Sequence, residues 1–169
     1  MKKILMLTTG GTIASLPTTE GLAPSGADTI LSRMGPTAEA YDVVTREIMT
    51  LDSTNIQPEE WKLIAGAIYE ELKNYDGIVV THGTDTMAYT ASMMSFMLRN
   101  LPIPVVFTGS QVPIAKPLSD APLNLSCALA MAASGVPGLF VAFDRKIILG
   151  SRAVKVRTTA FDAFESVNC

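Results

Sequence analysis

Two stretches of this sequence place hydroxyls at the exit of an apolar run. The first, LTTGGTIAS at residues 7–15, carries two glycines followed by Thr12. Gly10 and Gly11 permit a sharp turn and close backbone approach, and their N–H groups can hold negative charge developing on an oxygen. The second, VVTHGTDTMAYT at residues 79–90, carries Thr84, Asp85 and Thr86 in a row. A carboxylate there, ahead of a helix, stays ionised and can pair with a ligand ammonium. Further on, Ser53 and Thr54 in DSTN offer donors and acceptors to a small polar ligand, and Lys155 lies between Val154 and Val156. A lysine turned inward and desolvated can serve as a base toward a threonine hydroxyl. His82 is the single histidine, which rules out a His-rich zinc site. Together these residues sketch hydrolysis by a hydroxyl nucleophile without histidine.

Each element also has a plainer reading. Gly10-Gly11-Thr12 reads equally as a glycine turn with a capping threonine, and Thr84, Asp85 or Thr86 as a helix cap. DSTN can be a polar turn, and a lysine on an edge strand is usually solvated. A lone histidine is more often a satisfied structural group than a base. The glycines do not form G-x-G-x-x-G, and no P-loop lysine follows.

The elements that must hold these residues alternate strand and helix. KKILMLTT, YDVVTREIM, DGIVVT, IPVVFTG and GLFVAFD read as strands, largely apolar as a sheet covered on both faces requires. Pro58, Glu59 and Glu60 suit the first turn of a helix, with Trp61, Ile64, Ala65, Ile68 and Leu72 on one stripe. Helices are expected over residues 87–98 and 123–134. Residues 15–36 read as a long loop and a short helix over 28–34, and SQVPIAKPLSDAP as a proline-rich loop. RKIILG and RAVKVRT read as a hairpin at the sheet edge. The order predicts an α/β fold: a mainly parallel sheet flanked by helices on both faces, a Rossmann-like three-layer sandwich. Loops at residues 8–12, 52–55, 81–86 and 108–111 then leave strand carboxyl ends and face one crevice, where open α/β sheets bind ligands.

Composition agrees. Nearly half the residues are apolar, 17% are charged and the net charge is −3, which fits one globular domain. No Lys/Arg cluster marks a nucleic-acid groove. Cys127 reads as a small buried hydrophobe and Cys169 is the last residue, so neither a disulfide framework nor a Cys-rich metal site is expected. The apolar stretch after Lys3 is too short for a secretory segment, and no run reaches membrane-spanning length. A cytoplasmic protein is expected.

LTTGGTIAS and GIVVTHGTDTMAYT resemble the two signatures of the bacterial-type L-asparaginases, with the nearest likeness to the cytoplasmic type I branch. DSTNIQPEEW, VVFTGSQVP and TTAFDAFESVN are similar to family segments as well, so the likeness covers essentially the whole chain. The resemblance implies an amidohydrolase converting L-asparagine to L-aspartate and ammonia, without metal or organic cofactor. It implies catalytic roles for Thr12, Thr84, Asp85 and Lys155, with Thr12 as nucleophile and Thr84 as its rival. It implies substrate contacts from Gly11, Ser53, Thr54 and Asp85, the last receiving the ammonium. Family members have a smaller C-terminal domain and assemble as dimers or tetramers; residues 1–169 would be the N-terminal catalytic domain alone. No nucleic-acid or membrane partner is implied.

One departure concerns the first loop, where many members carry a tyrosine bonded to the nucleophile. Here Leu22 stands near that place and Tyr41 is the first tyrosine, leaving Thr19 or Glu20 as substitutes. Two alternatives to an asparaginase remain: an amidohydrolase for glutamine or an ammonia-supplying amidotransferase component, and an inactive domain that binds asparagine or aspartate.

Overall fold

The computed structural model describes residues 1–18, 21–24 and 27–168. A six-stranded sheet lies between two helical layers. Its strands are β1 (Lys3–Thr8), β4 (Asp42–Glu47), β5 (Gly77–Thr81), β6 (Pro104–Thr108), β7 (Gly138–Phe143) and β8 (Lys146–Leu149), in the spatial order β4-β1-β5-β6-β7-β8. All neighbours pair in parallel except β7 and β8. The central strands read as continuous apolar runs because both of their faces are covered: every residue of β5 and β6 is buried.

One face carries α3 (Pro58–Glu71) and α4 (Met87–Met97), whose Ile64, Ile68, Met87, Ala91 and Met94 pack on Leu5, Leu7, Val80 and Phe107. The expected stripe of α3 is the buried one, with Trp61 and Leu72 at its half-buried margins. The other face carries α1 (Ala27–Met34) and α5 (Ala121–Ala132), which cover Ile4, Met6, Val79 and Val106. A single turn, α2 (Pro36–Glu39), leads into β4. Cys127 on α5 is half-buried rather than buried, because the fully buried side of α5 is taken by Ala121, Leu125, Ala128, Leu129 and Ala132.

The crossovers differ in hand. Chain passages β4 to β5 and β5 to β6 run in one direction across the sheet with α3 and α4 on the first face. Passage β1 to β4 runs the other way with α1 on the second face, which gives the same hand. Passage β6 to β7 continues in the first direction, yet α5 lies on the second face. This crossover is therefore opposite in hand, and since nearly all parallel crossovers are right-handed, β6-α5-β7 is the left-handed one. Its opening loop leads from the carboxyl end of β6 to the second face.

Two small sheets depart from the sequence expectation. Within 15–36, β2 (Ser15–Thr18) and β3 (Gly21–Pro24) pair antiparallel where a loop was expected. The expected hairpin between RKIILG and RAVKVRT does not form. Lys146–Leu149 instead pairs with β7, while β9 (Ala153–Lys155) pairs with β10 (Phe164–Ser166). Pairing across the short turn after Phe143 keeps β8 local, and that frees the next segment for Phe164. Phe164 is buried against Phe143, their rings 4.8 Å apart, and its carbonyl accepts from Lys146 Nζ.

That aromatic contact anchors the β9–β10 ribbon to the main sheet. Phe164→Ala is expected to cost about 3–5 kcal/mol, the usual loss for a deleted core aromatic ring, read as a drop in urea midpoint at unchanged slope. A loss under about 1 kcal/mol would show that the ribbon is held elsewhere.

Candidate active site

The direction of chain passage reverses at β1: β4 is added on one side and β5 on the other. The loops after β1 and β5 thus depart toward opposite faces, which opens a crevice at the carboxyl ends of these two strands. A cavity of about 320 Å³ sits there, lined by Gly10, Gly11, Thr12, Ser15, Thr50, Leu51, Asp52, Ser53, Gly83, Thr84 and Asp85. That volume is at the low end for small-molecule clefts, roughly 300–1,000 Å³, and suits an amino-acid-sized ligand.

The floor is tied together by main-chain and threonine hydrogen bonds. Thr9 donates to the Thr81 carbonyl through both its N–H, at 3.1 Å, and its hydroxyl, at 2.9 Å. Leu51 N–H donates to Thr9 O at 3.1 Å. Gly10 and Gly11 have φ of +99° and +85°, a conformation that disfavours side chains. A Cβ on Gly11 would also lie 2.6 Å from the Gly83 nitrogen. The first turn can approach the second this closely only because Gly11 has no side chain.

Capping does not account for the hydroxyls. Thr12 opens a 3-10 turn, Thr12–Ala14, whose N-cap is Gly11. Thr86 occupies the N-cap of α4 without a side-chain capping bond, and its hydroxyl donates to Ser53 O at 2.8 Å. This bond pins the Ser53 turn against the Thr84 turn. The polar-turn reading of DSTN does hold for Thr54: its N–H and hydroxyl both donate to Asp52 Oδ1, each at 3.0 Å. Thr54 is exposed and does not line the cavity, whereas Ser53 is buried and does.

Lys155 reaches the site from β9. Its Nζ donates to Thr84 Oγ1 and pairs with Asp85 Oδ1, each at 2.9 Å, with the side chain 12% exposed. The solvated edge-lysine reading is thereby excluded. The ribbon positions this lysine over the crevice. Behind Thr84, the left-handed crossover brings in Gln111, whose Oε1 accepts from Thr84 Oγ1 at 3.1 Å. Asp120, itself held by Asn124, and the Thr158 and Ala160 carbonyls hold Gln111 in turn.

The structure therefore gathers Gly11, Thr12, Ser53, Thr84 and Asp85 around one cavity, with Lys155 bonded to two of them. Of the four loops expected at the crevice, the one ending at Gln111 stands behind Thr84 rather than on the cavity wall. Leu22 falls within β3, and Thr19 and Glu20 lie outside the described residues. Sequence reasoning missed the roles of Gln111, Asp120 and Asn124. The one available signal was an Asp and an Asn four residues apart at the start of a predicted helix. Among the described residues, no group of three or more His, Cys, Asp or Glu could hold a metal ion.

His82 is buried beneath this site. Its Nδ1 donates to Gly83 O at 2.7 Å, while Nε2 has no hydrogen-bond partner among the described residues. It is thus half satisfied, where full satisfaction was expected. Burial lowers its pKa from 6.5 to about 4, opposed by the Gly83 hydrogen bond. The imidazole is neutral near pH 7.

The family model for the N-terminal asparaginase domain matches residues 3–169, and the chain belongs to the asparaginase family. It is 54% identical over 168 residues to an L-asparaginase of Thermococcus kodakarensis, an alignment covering 98% of this chain and 51% of that protein. The solved structure of the thermostable T. kodakarensis L-asparaginase superposes with a TM-score of 0.94, covering 99% of this chain and 52% of that one. A crystal structure described as a probable cytoplasmic L-asparaginase from Campylobacter jejuni gives 0.85 at 31% identity, over 98% of this chain and 52% of that one. A glutamyl-tRNA(Gln) amidotransferase component of Methanosarcina mazei is 38% identical over 179 residues, 99% of this chain and 42% of that protein. The chain spans about half the length of the curated L-asparaginases it matches.

His82 makes stability pH-dependent with a defined sign. The unfolded chain binds a proton at this residue near pH 6.5, the folded chain only near 4, so folding stability falls as pH drops through that window. About 3 kcal/mol is expected to be lost across it. Urea titrations at pH 7.5 and 4.5 should show a smaller loss in His82→Gln than in the parent; equal losses would assign the pH dependence to other groups.

Proposed function

We propose that this chain is the N-terminal catalytic domain of an amidohydrolase that converts L-asparagine to L-aspartate and ammonia through a threonine nucleophile. The observation that carries this reading is the Lys155 amine, bonded to Thr84 and Asp85, beside a cavity that Thr12 and Thr84 share. The family relationship supports the choice of substrate.

In this reading Thr12 Oγ1 attacks the side-chain amide carbon of asparagine. The carbonyl oxygen takes up the electron pair, and backbone donors near Gly11 and Thr84 stabilise it, a contribution of roughly 3 kcal/mol per donor. The intermediate collapses as the nitrogen is protonated and leaves as ammonia, giving an ester on the threonine. Water then attacks the ester carbon, its proton returns to the threonine oxygen, and aspartate is released. Lys155 and Thr84 handle the protons; Asp85 keeps the amine in place and receives the substrate ammonium. Ser53 binds the α-carboxylate, with Thr54 on the same turn. Thr84 is the rival nucleophile. Neither metal nor organic cofactor is required.

A second reading draws on the amidotransferase relative: hydrolysis of a glutamine or asparagine amide to supply ammonia to an acceptor. Asparagine and glutamine differ by one methylene, which a pocket separates by only about 1–3 kcal/mol, so both deserve assay side by side. We further propose that a second, smaller domain completes the enzyme, that it works as a homo-oligomer, and that it acts in the cytoplasm. The C. jejuni relative supports the location; among the described residues, no helix is long and apolar enough to cross a membrane.

Thr12→Ala is expected to abolish ammonia release from asparagine, and Thr84→Ala to reduce it by at least about 100-fold, as for removal of a positioned proton-transfer group. Near-parental turnover by Thr12→Ala, with Thr84→Ala inactive, would move the nucleophile to Thr84.

A further inference from the structure

Gln111 does not itself line the cavity, yet every polar atom of its carboxamide is engaged. Its Nε2 donates to Thr158 O at 3.1 Å and to Ala160 O at 3.0 Å. Both partners are backbone carbonyls, which only accept, so the nitrogen must face them. The amide cannot flip, and Oε1 is left facing Thr84 Oγ1 at 3.1 Å. An amide oxygen only accepts; Thr84 must therefore give its hydroxyl proton to Gln111.

A threonine hydroxyl has one proton and two lone pairs. On Thr84 the proton goes to Gln111 and one lone pair receives Lys155 Nζ–H at 2.9 Å. One lone pair remains, and Thr84 lines the cavity. We propose that Gln111 is a positioning residue: it fixes the direction of the Thr84 proton, so that Thr84 meets the cavity as a hydrogen-bond acceptor. This rests on the amidohydrolase reading above. Such an acceptor favours a ligand N–H or water O–H at that spot, the donors an amide substrate and a hydrolytic water bring.

The support for Gln111 is itself rigid. Its N–H lies 2.9 Å from Asp120 Oδ2 and 3.1 Å from Oδ1, and Val112 N–H donates to Oδ1 at 3.0 Å. Asn124 Nδ2 donates to Asp120 Oδ2 at 3.1 Å and to Gly109 O at 3.0 Å, while Asn124 Oδ1 accepts from Asp144 N at 2.9 Å. Asp120 and Asn124 are both buried at the start of α5. The pair locks the backbone of Gln111 while the two carbonyls lock its amide. Without Gln111 the hydroxyl would be free to turn its proton toward the cavity and oppose an incoming donor.

Gln111→Met in the full chain keeps the length of the side chain and removes its hydrogen bonds. We expect kcat for ammonia release to fall on the order of 100-fold, the scale for a misaimed catalytic group. Aspartate affinity by calorimetry should change less than about 3-fold. In the proton NMR spectrum, the parent should show a slowly exchanging Thr84 hydroxyl proton that Gln111→Met lacks. Parental kcat in a folded Gln111→Met protein overturns the proposal; so does lower activity with the Thr84 hydroxyl signal intact. If the parent releases no ammonia from asparagine or glutamine, the amidohydrolase reading fails, and the hydroxyl signal alone judges Gln111. If Gln111→Met does not fold, absence of a protected hydroxyl proton in the parent overturns the proposal and its presence supports it.

Discussion

An ammonium group with only 12% of its side chain exposed to water needs partners to replace its hydration, and Lys155 finds two, Asp85 and Thr84. Burying a charge without them costs several kcal/mol. Much of the surrounding architecture bears on this one contact. Thr84 and Asp85 lie in the turn after β5, whereas Lys155 arrives 71 residues after Thr84 on a ribbon outside the main sheet. Phe164 packing on Phe143 holds the ribbon down, and Arg157 pairs with Glu165 and Asp162 along its outer edge. That pairing also raises the pKa of Arg157, chiefly through the Glu165 hydrogen bond.

A second constraint is closeness. The turn after β1 lies so near the turn after β5 that Gly11 has no room for a Cβ, and the Ser53 turn crowds Gly83 in the same way, where a Cβ would fall 2.5 Å from Ser53 Oγ. Three turns therefore interlock, and the Thr86 hydroxyl ties the Ser53 turn to the turn after β5. A cavity walled this way has fixed dimensions before any ligand enters, which lowers the ordering cost of binding.

The layered fold was legible because its central strands are apolar throughout and strand and helix patterns alternate along the chain. The α3 stripe, from Trp61 through Ile64 and Ile68 to Leu72, shows this directly. Convergence of Thr12, Ser53, Thr84 and Asp85 was legible for a related reason: each follows the carboxyl end of a predicted parallel strand. Pairing of the later strands was not. RKIILG and RAVKVRT both read as short strands, and nothing local tells the second to seek Phe164 rather than its neighbour. Gln111 escaped notice because its role depends on carbonyl groups 47 and 49 residues away, and carbonyls carry no sequence signature. Thr8 and Thr81, partners in register whose buried hydroxyls find no acceptor among the described residues, are also unannounced by sequence.

The left-handed passage from β6 to β7 has a bearing on portability. A right-handed connection would deliver α5 to the side already filled by α3 and α4, and the segment carrying Gln111 would meet Thr84 from a different direction. An engineer who transplanted the two threonine turns onto an ordinary dinucleotide-binding scaffold would reproduce their sequence and lose their backing. The unusual chirality of one connection is thus a specification that any borrowed version of this pocket must copy.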